Sequence, residues 1–352
     1  MERLVDDDSP LMSARKKTVL FVGSFLSKKK GTKGISEKMG PFIEADYNLC
    51  YASRKVNKVL RLIDVLWCIL SKRYDVVHSD VFSGQAFWVS DVARRIARLR
   101  NKKLILNIRG GRFLEYLCES SLRLRVFRSW VHSGTILISP SHFLAEGLKE
   151  KFGISVKVVP NFIDLQKFPY DSSERKGFQL LWVRAFNSGY RPEIAVDALK
   201  HVRAKYPKAT LTMVGPDKGT FSSTKELVGT HDLTDWVTFT GPVPNTELKD
   251  FFHSHDVYLN TTTYESFGQA VFEAAACGIP IVSTKVGELP FVWKNEEDII
   301  FCEQQTGASL CDAILRVFDD RGSMAECQRK ARELAEKYTW KNVRKAWTEL
   351  LG

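Results

Sequence analysis

The chain has 352 residues, 44% of them hydrophobic and 26% charged, with a formal net charge of +11. That length suggests two domains of ordinary size, and the composition excludes a disordered or fibrous chain. The charge is uneven: residues 1–170 hold 30 Lys+Arg and 16 Asp+Glu, net +14, which leaves 22 and 25, net −3, for residues 171–352. Such asymmetry points to an anionic partner for the first half: a membrane surface, an acidic substrate or nucleic acid.

In chain order, residues 1–16 read as a polar flexible tail with no signal-peptide pattern. Thr18-Val19-Leu20-Phe21-Val22-Gly23 reads as a buried strand ending in glycine, and the run Lys28-Lys29-Lys30-Gly31-Thr32-Lys33-Gly34-Ile35-Ser36-Glu37 follows. Asp75-Val76-Val77-His78, 103–108 and 136–139 read as further strands, with amphipathic helical stretches near 54–72, 85–100 and 113–131. Near-continuous apolar strands alternating with helices argue for a parallel sheet covered on both faces. The longest apolar stretch in this half, Val65 to Leu70, is far short of the ~20 residues that span a bilayer. The runs 93–100 and 122–130 mix arginine with apolar residues. They fit docking on anionic lipid, and equally an ordinary packed helix with a basic outer face.

A polar, turn-rich break at 169–176 reads as an interdomain linker. It divides a first domain, 1–168, from a second, 177–338, with a terminal helix at 339–352 that could pack back on the first. After the break, 179–183 and 210–214 read as strands around a helix at 192–205 that has Pro192 in its first turn. Val237-Thr238-Phe239 and Val257-Tyr258-Leu259 are two more strands. Seven cysteines, an odd number without a Cys-x-x-Cys pair, argue against a disulfide framework or zinc site and favour a reducing, cytoplasmic compartment.

The most informative stretch runs from Glu265 to Pro280. An acid is followed by a Gly268-containing turn, a short helix carrying Glu273, and a Gly278-Ile279-Pro280 stop before strand Ile281-Val282-Ser283. Free backbone N–H groups and the dipole at a helix start favour phosphate. The layout is that of a phosphate clamp with one carboxylate in front of the helix and another about two turns along.

With these residues the chain resembles the retaining glycosyltransferases of the GT-B fold, family 4, also called group 1, from about Thr18 to the last helix. The resemblance implies an α/β fold of two doubly wound, Rossmann-like domains facing a cleft. It implies that Glu273 holds the ribose hydroxyls of a donor nucleotide. Glu265 would hold the transferred sugar and steady positive charge at its anomeric carbon, and the segment Ser266, Phe267 and Gly268 would receive the diphosphate through backbone amides. Arg184 matches the family arginine that neutralises the leaving group, although Val183 stands where relatives carry glycine. The family lysine a few residues on is not clearly filled, and Arg191 is the candidate for its charge. Gly215 and Val243 match loops near the nucleotide, and Gly34 matches the glycine loop of the first domain. Asp217 and Lys218 are ligand contacts or turn residues. Asp80, Arg109 and Arg112 follow strands on the acceptor side, where many relatives place a histidine.

The implied reaction is retaining transfer of a sugar from a UDP- or GDP-sugar to a glycan or lipid-linked acceptor, in cell-surface polysaccharide or glycolipid synthesis. It needs no metal and no cofactor beyond the donor. The enzyme would be cytoplasmic, peripheral on the inner face of the membrane. Two other readings stay open: a basic nucleic-acid-binding protein, and a neighbouring GT-B enzyme such as an epimerase or phosphorylase. The sequence does not read the sugar, base or acceptor.

Overall fold

The computed structural model describes residues 15–23, 25, 34–52 and 57–352. The expected tail up to residue 14 and the lysine run 28–33 lie outside them; Gly34 lies inside.

The first domain alternates strand and helix: β1 (Thr18–Val22), α1 (Ile35–Ile43), β2 (Asn48–Ala52), α2 (Lys58–Ser71), β3 (Val76–Val81), α3 (Gln85–Leu99), β4 (Lys103–Ile108), α4 (Phe113–Cys118), α5 (Ser121–Val131), β5 (Ile136–Ser139), α6 (His142–Phe152) and β6 (Lys157–Val158). The strands form a parallel sheet in the order β2-β1-β3-β4-β5-β6. The second domain contains β7 (Gln179–Val183), α7 (Pro192–Lys205), β8 (Thr210–Val214), α8 (Phe221–Thr230), β9 (Val237–Gly241), α9 (Leu248–Ser254), β10 (Val257–Asn260), α10 (Gln269–Cys277), β11 (Ile281–Thr284), α11 (Leu289–Val292), β12 (Ile300–Cys302), α12 (Gly307–Asp319) and α13 (Arg321–Lys337). Its parallel sheet runs β12-β11-β10-β7-β8-β9.

Both orders are doubly wound. The direction of winding reverses between β1 and β3 and again between β7 and β10, and in such sheets the crevice beyond the strand ends at the reversal holds ligands. The buried strand residues read as continuous apolar runs because each sheet is covered on both faces. One face of the first sheet packs against α2 to α6, and the other against α1 and the terminal helix α14 (Trp340–Leu351), whose Trp347 and Leu351 are fully buried. The second sheet is covered by α7, α8 and α12 on one side and by α9, α10 and α11 on the other.

Two elements differ from the sequence expectation. The stretch 113–131 is two helices, because Ser120 starts a new one: its hydroxyl accepts the Arg123 N–H at 3.4 Å. The strand expected to end at His78 continues to Val81, so Asp80 lies inside β3 rather than after it. Residues 169–176 form no regular element. That segment is held at the second domain by the Asp171 N–H, which donates to the Cys277 carbonyl at 3.2 Å.

Candidate functional site

The carboxyl ends of β7 and β10 bring Arg184 and Asn260 side by side. The Arg184 guanidinium donates to Asn260 Oδ1 at 3.2 Å and to the Glu265 carboxylate, and lies over the Tyr190 ring, 5.4 Å from its centroid. Asn260 is fixed in turn by donating to Ser283 Oγ at 2.9 Å. Burial alone would lower the Arg184 pKa. The negative charge of Glu265, with contributions from Tyr258, Tyr190 and Glu273, outweighs burial and holds the group well above the ordinary arginine value. The site therefore carries a fixed positive charge between two acids, with the Arg184 Nε–H lacking an acceptor among the described residues.

Glu265 leads into Gly268, which has φ +90°. A Cβ there would lie 2.8 Å from Leu289 Cδ2, so glycine answers both the left-handed backbone and the close packing. Among the described residues no side-chain cap is seen at α10, which begins at Gln269, and N–H groups at such a helix start suit an anion. Glu273 lies on this helix, 3% exposed, and accepts from Gln269 Nε2 at 3.3 Å. The Phe267 ring is turned away from the cleft and stacks on Phe272 at 4.5 Å, leaving only its backbone to serve a ligand. Gly215 has φ +153°, and a Cβ there would sit 1.8 Å from the Arg184 carbonyl oxygen. Its glycine is thus explained by the approach of β8 to β7 behind Arg184. Asp217 is a turn residue, accepting the N–H groups of Gly219 and Phe221 at 2.7 and 3.3 Å. Arg191 directs its guanidinium to Glu193 at 2.9 Å and the Gln305 carbonyl at 3.3 Å. Val243 packs at the edge of the apolar layer behind α10.

The first domain closes the other wall. Gly34 starts α1, with open space where a Cβ would stand. Four residues on, one helical turn, Lys38 reaches across the cleft to Glu273 at 3.2 Å. Sequence reasoning missed Lys38: nothing near it marks which residue of the other domain it meets. Asp80 accepts from Ser36 Oγ at 2.8 Å and lies 3.7 Å from Arg109, which donates to Asn161 at 3.1 Å. Burial lowers the Arg109 pKa, and Asp80 opposes that. Arg112 is exposed at the start of α4. A second bridge between domains was also missed. Buried Glu288, just before α11, accepts from Ser141 Oγ and the Phe143 N–H, both at 2.9 Å, and lies 2.7 Å from His142 Nδ1. It satisfies donors at the start of α6, where a carboxylate also suits the helix dipole. Among the described residues no group of three His, Cys, Asp or Glu could hold a metal ion, and no helix is long and apolar enough to cross a membrane.

Residues 166–334 match the family model for glycosyl transferases group 1. The glycogen synthase of Mycobacterium tuberculosis is 28% identical over 238 residues, 65% of this chain, and the match spans 57% of that protein's length. A D-inositol 3-phosphate glycosyltransferase from an Arthrobacter species is 26% identical over 298 residues, 77% of this chain and 68% of its own. Among solved structures, Anabaena HepE in complex with UDP-glucose superposes with a TM-score of 0.74 at 17% identity, covering 95% of this chain and 99% of that one. Sucrose-phosphate synthase from Thermosynechococcus elongatus does so with a TM-score of 0.77 at 16% identity, covering 95% and 98%. The two facing sheets are thus the GT-B fold, and the second domain matches the glycosyl transferases group 1 family over residues 166–334.

Proposed function

We propose that the chain is a retaining glycosyltransferase that moves a sugar from a nucleoside diphosphate sugar to a glycan or lipid-linked acceptor, in cell-surface polysaccharide or glycolipid synthesis. In this reading it works in the cytoplasm, peripheral on the inner face of the membrane. The observation that carries the reading is the grouping of Arg184, Glu265, Glu273 and the uncapped start of α10 at the winding reversal of the second sheet. Relatives named for transfer of sugars and a fold neighbour holding UDP-glucose support it.

The chemistry follows from the charges. Glu273 accepts hydrogen bonds from the ribose hydroxyls once Lys38 yields its place; such charge-assisted bonds are the strong ones. The diphosphate lies against the first N–H groups of α10, with Arg184 beside it. The bond between the anomeric carbon and the phosphate oxygen breaks with its electron pair going to the phosphate, where fixed positive charge receives it. Glu265 steadies the positive charge left on the sugar. The acceptor hydroxyl oxygen bonds to the anomeric carbon on the same face, and its proton passes to the departing phosphate oxygen. No side chain need act as base. Asp80 and Arg109 stand on the acceptor side, and Lys38 supplies from the opposite wall a charge that Arg191, turned to Glu193, does not bring to this grouping.

The test is titration with UDP and GDP, then transfer assays with a panel of their sugars and NMR assignment of the product anomer. Glu273→Ala should weaken nucleotide binding about 10- to 100-fold, the worth of one or two hydrogen bonds to a charged group. Unchanged binding, or an epimerised donor with no transferred sugar, would contradict the reading.

A further inference from the structure

Thirteen large apolar side chains are exposed among the described residues, and ten of them lie on α2, α3 and α5. On α2, Val59, Ile63, Trp67 and Leu70 are 66, 55, 60 and 60% exposed. Their spacing of four, four and three puts them in one stripe, and a 14-residue helix makes that stripe about 21 Å long. A helix apolar on its outer as well as its inner side is normally covered. On α3, Trp88 and Leu99 are exposed with Arg95 and Arg98; on α5, Leu122 and Val131 are exposed with Arg125 and Arg128. The inner sides of all three helices pack into one cluster on one face of the first sheet. Their outer sides therefore share one side of the molecule.

The charge of these helices is predominantly positive. They contain eight Lys or Arg against two acids, Asp64 and Asp91, and the neighbouring Glu119 pairs with Arg123 at 2.9 Å. Asp91 is buried and already bonded to Arg94 at 2.9 Å, Arg95 at 2.8 Å and the Trp130 indole at 2.8 Å. A second copy is a poor occupant, because a two-fold interface sets the same patch against itself and would oppose arginine to arginine. Nucleic acid is also a poor one, since eight of the ten exposed apolar side chains are Val, Ile or Leu, which offer bases neither stacking nor hydrogen bonds. Apolar side chains with interfacial tryptophans and flanking arginines fit a bilayer surface rich in anionic headgroups.

We propose that α2, α3 and α5 form a docking face for an anionic lipid bilayer. The proposal rests on the glycosyltransferase reading only for its purpose, delivery of a lipid-linked acceptor. A pocket of about 130 Å³ lies between α2, α3 and the carboxyl ends of β1 and β3. Leu62 and Phe82, both partly exposed, stand among its lining residues with Val65 and Val89, and Gly23 and Asp80 line it where β1 and β3 end. An apolar chain leaving the bilayer would lie along the cavity with its polar end beside Asp80.

The test is sedimentation of the full chain with vesicles of phosphatidylcholine alone and vesicles that also carry phosphatidylglycerol, at low and high salt. The double variant Ile63→Glu, Trp67→Glu is measured beside it, with circular dichroism to establish that it folds. Binding should require phosphatidylglycerol, weaken with salt, and fall about tenfold or more in the variant. Equal binding to both vesicle types, full binding by the variant, or a dimer in the lipid-free protein that the variant abolishes would overturn the proposal. Transfer to a soluble acceptor separates the two readings. If it persists without vesicle binding, the docking face fails and the enzyme reading stands; vesicle binding without any sugar transfer leaves the reverse.

Discussion

At the residue scale, Glu265 and Glu273 were legible because their spacing, the glycine turn between them and the Gly278-Ile279-Pro280 stop fall in one short stretch. Lys38, Asn260 and Glu288 were not, because each is defined by a partner distant in the chain: Glu273, Arg184 and the start of α6. His78 was legible only as part of a strand. It is fully buried, with neither ring nitrogen hydrogen-bonded among the described residues, and lies edge-on to Phe21 and beside Trp347. Burial, the largest influence, pushes its pKa down to about 4, with Asp80 opposing and Arg109 assisting. In the unfolded chain it takes a proton near its ordinary value of about 6.5. Between those values the unfolded state binds a proton that the folded state does not. This contribution to stability is therefore whole above about pH 6.5 and lost as pH falls toward 4, by up to about 3 kcal/mol. His78→Phe, which never titrates, should remove that slope; urea melts of both proteins between pH 7 and 5 measure it. Parallel pH profiles would contradict the assignment.

At the element scale, central strands were read well because burial on both faces leaves them continuously apolar, as in 103–108 and 179–183. Edge strand β2 escaped: Asn48-Leu49-Cys50-Tyr51-Ala52 is largely half-exposed, so its sequence lacks that signal. The break between α4 and α5 was lost because both helices face the same core cluster and share a period. Gly215 shows how one strand end sets the aim of a side chain on the next. A Cβ there would meet the Arg184 backbone, forcing β7 and β8 apart where Arg184 is aimed. Gly215→Ala should cost about 1–3 kcal/mol in stability, the usual range for overpacking, and should also weaken nucleotide binding through Arg184. Thermal melts and nucleotide titration read the two effects. A variant that loses stability but binds nucleotide normally would show that β8 does not position the arginine.

At the scale of the whole molecule, the sequence suggested two doubly wound units and a terminal helix that could return to the first, but not the contacts across the cleft. The Lys38–Glu273 pair, the Glu288 contacts and the returning helix join the two. The Trp347 indole of α14 donates to the Pro160 carbonyl at 3.3 Å, and Arg344 pairs with Asp46 at 2.9 Å, so the end of the chain is part of the first domain's core. Glu288 bonds the second domain to the start of α6. Glu288→Ala leaves the Ser141 hydroxyl and Phe143 N–H without their acceptor, a cost of about 1–3 kcal/mol for buried donors. It should also enlarge the radius of gyration in solution scattering. An unchanged radius would mean that α14 and the remaining contacts hold the domains without it.

The Lys38–Glu273 pair bears most directly on the account, because the proposed ribose site is occupied by the ammonium of the opposite domain. A crystal structure with UDP or GDP bound decides the matter. The account predicts ribose hydroxyls on Glu273 with Lys38 displaced, and phosphates at the start of α10 beside Arg184. A nucleotide bound elsewhere, with Lys38 still on Glu273, would contradict it.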